Sequence, residues 1–153
     1  MNINIITASH NNCSWAQEGI TLYAKRIPRF AKLNRLRIKQ QKLTSMTVKE
    51  AMQLDALAFE KMIPKQSFVI ICHETGKQYD SNRFSDMISN AFLGFSSITF
   101  IVGPAYGLSP DLIKQHNTLS LSKMTLQHEL AELLLYEQIY RAFTILHNHP
   151  YHR

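Results

Sequence analysis

Three short stretches carry the groups best able to do chemistry. The chain closes on His147-Asn148-His149-Pro150-Tyr151-His152-Arg153, which puts three histidines beside a tyrosine and an arginine. Imidazoles at that density suit metal binding, proton transfer or hydrogen bonding to a base edge. Pro150 makes the spacing irregular and no cysteine or acid adjoins, which argues against a metal. Two readings stay open, a frayed surface tail and a docking segment that stacks on a base and pairs with phosphate. Gly103-Pro104-Ala105-Tyr106-Gly107-Leu108 is a loop that no helix can cross. Its glycines suit either an ordinary strand-to-helix turn or a close backbone approach to a ligand. Ser122-Lys123-Met124-Thr125 offers hydroxyls and free amides, and equally reads as a helix entry. No G-x-G-x-x-G follows the first strand, and neither a phosphate loop nor a G-x-S-x-G elbow is present.

The elements that must position these stretches alternate in type. Residues 2–9 read as a strand, and 12–27 as a helix with Trp15, Ala16, Gly19, Ile20, Tyr23 and Ile27 at helical spacing, ended by Pro28. Residues 33–39 read as a half-buried strand near a sheet edge. Thr47-Val48-Lys49-Glu50 is a capping box opening a helix with Ala51, Leu54, Ala58 and Met62 on one face. Residues 67–72 form a continuous apolar strand, 73–77 a turn, and 82–91 a helix with Phe84, Ile88 and Ala91 inward. A second buried strand spans 97–102, and Ser109-Pro110-Asp111 starts a helix with proline at its first position. A short strand at 118–121 and a long helix at 127–146 complete the order. This predicts an α/β fold, a mostly parallel sheet with helices on both faces. Ligands of such sheets sit beyond the carboxyl ends of the strands, so the loops 73–77, 103–108 and 122–127 matter most.

At 153 residues the chain fits one domain, with no linker or repeat. Cys13 and Cys72 make no disulfide framework, the start lacks a signal-peptide pattern, and no apolar run is long enough to span a bilayer. The expectation is a reduced, cytoplasmic protein without membrane association. The net charge of +6 is uneven: +7 lies at or before Lys65 and −1 after it. Lys25, Arg26, Arg29, Lys32, Arg35, Arg37, Lys39 and Lys42 occur with no acid between Glu18 and Glu50. Such a run attracts a polyanion through counterion release, or is a solvated face.

The loop from Gly103 to Pro110, the segment Ser120-Leu121-Ser122-Lys123-Met124-Thr125-Leu126-Gln127-His128, the helix core Glu137-Gln138-Ile139-Tyr140-Arg141-Ala142 and the ending His149-Pro150-Tyr151-His152-Arg153 resemble the RlmH family of the SPOUT superfamily. The resemblance covers essentially the whole chain. It implies a SPOUT-type fold with a C-terminal trefoil knot, a homodimer, and S-adenosylmethionine as cofactor. The reaction it implies is N3-methylation of a pseudouridine in 23S ribosomal RNA of the assembled ribosome; the alternative is a non-catalytic RNA- or ribosome-binding module of the same fold. Matching positions put the cofactor at Ile71, Cys72, His73, Gly103, Pro104, Ser122, Lys123, Met124, Thr125, Leu126 and Gln127. They put RNA binding and catalysis at His149, Tyr151, His152 and Arg153, and imply no metal. His73, Pro104 and Glu132 depart from the family, which usually has aspartate, glycine and arginine there.

Overall fold

Apolar alternation along five short segments builds one sheet, and the residues that face outward from it decide where helices pack. The computed structural model describes residues 1–8 and 13–152. The strands are β1 (Asn2–Thr7), β2 (Lys32–Arg37), β3 (Ser67–Lys77), β4 (Ser97–Val102) and β5 (Asn117–Leu119). The helices are α1 (Ser14–Arg26), α2 (Val48–Met62), α3 (Ser81–Gly94), α4 (Pro110–Gln115) and α5 (His128–Leu146). All pairings are parallel, in the order β2-β1-β4-β3-β5. The expected α/β architecture is present. Ser9, Asn12 and Arg153, drawn into the expected first strand, first helix and catalytic tail, lie outside the described residues.

Residue parity divides the core. On β4 all six residues are buried. Ile98, Phe100 and Val102 meet α1, α3 and α5 through Ile20, Ile88 and Ile139, whereas Ile101 joins Ile71, Phe59 and Leu112 beneath α2 and α4. Edge strand β2 carries Lys32, Arg35 and Arg37 exposed, charges that also guard it against edge-to-edge pairing.

Several boundaries differ from the sequence expectation. The predicted turn at 73–77 belongs to β3, which shifts register against β5 between Cys72 and Lys77. The capping box at Thr47 and Glu50 forms with both reciprocal bonds. Yet α2 buries Ala51, Asp55 and Phe59, leaving Leu54 and Met62 exposed and Ala58 half-buried. Trp15 likewise points outward, 49% exposed. Ser109 sits at the N-cap of α4 without a side-chain capping bond.

Candidate functional site

The point where β3 breaks register after Cys72 lies beside the carboxyl ends of β4 and β5, so the segments that follow converge. They line a cavity of about 290 Å³. From the first come Cys72, His73 and Glu74; from the second Gly103, Pro104, Ala105, Gly107 and Leu108; from the third Ser120, Leu121, Ser122, Met124, Thr125 and Leu126. Of the eleven cofactor positions implied by resemblance, eight line this cavity. Ile71 does not: it is fully buried beneath it. Lys123 and Gln127 are exposed and outside the lining, Gln127 serving as N-cap residue of α5.

Each loop has a local reason for its shape. His73 Nδ1 accepts the Thr75 backbone N–H (3.3 Å) and lies 2.9 Å from its hydroxyl. An aspartate side chain would accept the same N–H, so His73 can take the part of the acid that the resemblance implies at this position. Gly76 allows the strand to resume beside β5, because a Cβ there would lie 2.6 Å from the Leu119 carbonyl carbon. Gly107 adopts φ 92°, and its N–H closes a turn on the Pro104 carbonyl (3.0 Å). Ser122 Oγ accepts the Met124 N–H (3.0 Å), while its carbonyl accepts from Ser120 Oγ (2.8 Å).

The cavity's chemistry suits a small amphipathic cation. Val102, Leu108, Leu121 and Leu126 supply apolar walls, Ser120, Ser122 and Thr125 hydroxyls, and Glu74 a carboxylate. Burial pushes the Cys72 thiol up to about 12, so it stays protonated and poorly nucleophilic. His128, which the sequence reading passed over, also lines the cavity, its Nε2 3.0 Å from Glu129 Oε1. The signal available for it was position alone, one residue into the helix that closes the third loop.

The tail lies elsewhere. Asn148, at φ 51°, reverses the chain after α5. Tyr151 then returns to donate to Glu137 Oε1 (3.0 Å), lies 3.2 Å from the Tyr23 hydroxyl, and packs edge-on against Tyr140. Burial and these partners hold the Tyr151 phenol well above its ordinary range. Arg141 stacks on Tyr151, bonds Glu137 Oε1 at 2.9 Å through Nε, and reaches His152 Nδ1 at 3.4 Å. The His149 ring lies edge-on to Phe30, at the amino end of β2. Glu137, which holds Tyr151, lies nine residues along α5 from cavity-lining His128, about 13 Å of rise. Within one chain the structure brings together the three loops but not the tail.

Glu132 is 2% exposed and shares a cleft of about 250 Å³ with Arg35, Arg37 and Tyr136. Basic residues on β2 therefore face the acid that stands where the resemblance implies arginine. The remaining basic run is exposed except Arg26, whose guanidinium lies over Tyr23 and Tyr140. On α5, Leu130 is exposed, whereas Ile139 and Tyr140 are core. Among the described residues no three His, Cys, Asp or Glu side chains group as a metal needs, and no helix is long and apolar enough to cross a membrane.

Comparison with known proteins adds the family. A family model described as "Predicted SPOUT methyltransferase" matches residues 1–152. Proteins named ribosomal RNA large subunit methyltransferase H are similar over the full chain. That of Nitrosomonas eutropha is 36% identical, covering 100% of this chain and 99% of its own. That of Streptococcus suis is 37% identical with 100% of both chains covered, and that of Ralstonia pickettii 37% with 100% and 99%. With the three strand-end loops meeting at one cavity and this full-length similarity, the chain belongs to the SPOUT methyltransferase family, alongside its RlmH members.

Proposed function

We propose that the chain, working as a single domain over residues 1–153, is an S-adenosylmethionine-dependent methyltransferase acting on N3 of a pseudouridine in 23S ribosomal RNA of the assembled ribosome, in the cytoplasm. The observation that carries this is the meeting of three strand-end loops at one cavity in a chain of this family. S-adenosylmethionine supplies an electrophilic methyl on a sulfonium. The apolar walls and hydroxyls fit its nucleoside, Glu74 suits its positive charge, and the protonated Cys72 thiol offers no competing acceptor. Gly103, Pro104, Ser122, Met124, Thr125 and Leu126 hold it, with Cys72 and His73 at its edge. Positioning supplies most of the acceleration, because the acceptor must lie in line with a methyl that already has a good leaving group.

His149, Tyr151, His152 and Arg153 orient the base, hold its phosphate and accept the imide proton. In one chain Tyr151 is fastened at Glu137, nine residues along α5 from cavity-lining His128 and about 13 Å of rise away, so the site is completed by the tail of a second copy. Outward-facing Trp15 and Leu22 on α1 and Leu130 on α5 suit that homodimer contact. The C-terminal loops form the trefoil knot of the family, and the exposed basic residues of β2 and its neighbours face the ribosome.

Methyl transfer from radiolabelled S-adenosylmethionine to ribosomes lacking the modification tests the reading. Label should appear in large-subunit RNA. Ribosome binding without donor binding by calorimetry would instead make the chain a non-catalytic module.

A further inference from the structure

Every residue of the second cavity loop from Gly103 to Leu108 lines the cavity except Tyr106. Its hydroxyl points away and donates to Asp55 Oδ2 on α2. Asp55 is fully buried, on the same helix face as Ala51 and Phe59, and its Oδ1 has no hydrogen-bond partner. A carboxylate at a position suited to an apolar residue, with Tyr106 as its direct hydrogen-bond donor and Gln41 beside it, needs a reason. The loop offers one. Gly107 adopts a left-handed φ of 92° with Met52 of α2 beside it, and Gly103 closes on Leu108, where a Cβ would lie 2.5 Å from Leu108 Cγ. The loop's shape therefore rests on α2 at Tyr106 and Met52.

We infer that the Tyr106–Asp55 hydrogen bond is a latch that holds the 103–108 loop in its ligand-binding shape, making Asp55 a positioning residue for the methyl donor. The donor's identity rests on the function proposed above; the latch itself does not. Gln41, between exposed Lys39 and Lys42 of the basic segment, sits beside both latch groups and eases the upward shift that burial imposes on each. The basic edge and the cavity loop thus meet at one junction.

The test compares Tyr106→Phe, Asp55→Leu and Asp55→Asn. The asparagine carbonyl still accepts the tyrosine proton, so Asp55→Asn serves as conservative rescue. Amide hydrogen exchange over 103–108 is measured in the free protein, and S-adenosylmethionine affinity by calorimetry. Tyr106→Phe and Asp55→Leu should speed exchange in the loop and weaken donor binding about tenfold, the loss expected of one buried hydrogen bond. Turnover at saturating donor should hold, and Asp55→Asn should stay near wild type. If Tyr106→Phe, which keeps the ring, changes neither exchange nor affinity, the latch is wrong. If exchange responds but the wild-type protein binds no donor, the latch stands and the proposed function fails.

Discussion

The Tyr151 hydroxyl donates to Glu137 Oε1 across 3.0 Å, midway along α5, while the first turn of the same helix, at His128, lines the cavity. Nine residues of helix separate Glu137 from His128, about 13 Å of rise. The tail is thereby fastened on the α1–α5 surface, away from its own chain's cavity. In the proposed homodimer, a site made from both takes them from different copies.

That arrangement predicts complementation. A variant lacking residues 149–153 and a Gly103→Ala variant, each inactive alone, should recover activity when refolded together. Random pairing makes half the dimers mixed, each with one intact composite site, so about a quarter of wild-type activity is expected. Methyl transfer to ribosomes by the mixture measures it; no recovery despite mixed dimers would place tail and cavity of one chain in one site.

His152 touches Arg141, which is already engaged by Glu137 and Tyr151. His152→Ala should lower the single-turnover rate at saturating ribosomes by about 10²-fold, the scale of a lost proton acceptor. An unchanged rate with weaker ribosome binding would assign the residue to recognition alone.

How much of this was legible in sequence depends on whether a residue's environment is local. The apolar run Ser67-Phe68-Val69-Ile70-Ile71-Cys72 declares a buried strand by itself, and strand–helix alternation places its carboxyl end at a ligand site. The continuation to Lys77 is not local, because it depends on β5, whose position the sequence does not state. α2 shows the limit best. Hydrophobicity chose Leu54 and Met62 for the inner face, yet Asp55 is buried because Tyr106, fifty-one residues away, reaches it. The tail is similar: Tyr151 reads as a recognition residue but is packed on Tyr140, a contact created by the reversal at Asn148.

Arg35, Arg37 and Lys39 are exposed on and just after the edge strand. If they meet RNA phosphates, each replaced by alanine should reduce the salt slope of ribosome binding by about 0.7–0.9. Donor affinity should not move, since none lines the cavity. Binding titrations across salt concentrations check this; an unaltered slope would make the run a solvated face.

Burial holds the Asp55 carboxyl above its ordinary value of 3.8, against the opposing hydrogen bond from Tyr106. The native state therefore keeps this proton more tightly than the unfolded chain. Stability from this group is greatest at low pH and declines as pH rises from about 3.8 through the raised folded value. Asp55→Asn cannot ionise, so it should flatten that decline and unfold at higher urea than wild type at neutral pH. Urea midpoints measured from pH 4 to 7 decide it; parallel curves for the two proteins would contradict the buried charge.

Gly76 ties the first cavity loop to the third. A Cβ at this position would lie 2.6 Å from the Leu119 carbonyl carbon, 2.7 Å from its nitrogen and 2.8 Å from the Ser120 nitrogen. These are backbone atoms of β5 and the segment after it, so no side-chain rotation relieves the clash. Leu119 and Ser120 also line the cavity, and the Ser120 N–H bonds the Lys77 carbonyl at 3.0 Å. Gly76→Ala should therefore push β5 from β3, costing about 2–4 kcal/mol of stability and weakening donor binding. Gly94→Ala is the control, because a Cβ there meets nothing within 4 Å and the site lies at the end of α3. Thermal unfolding and calorimetry on both variants separate the cases: equal melting for Gly76→Ala and Gly94→Ala would mean that β5 yields without cost.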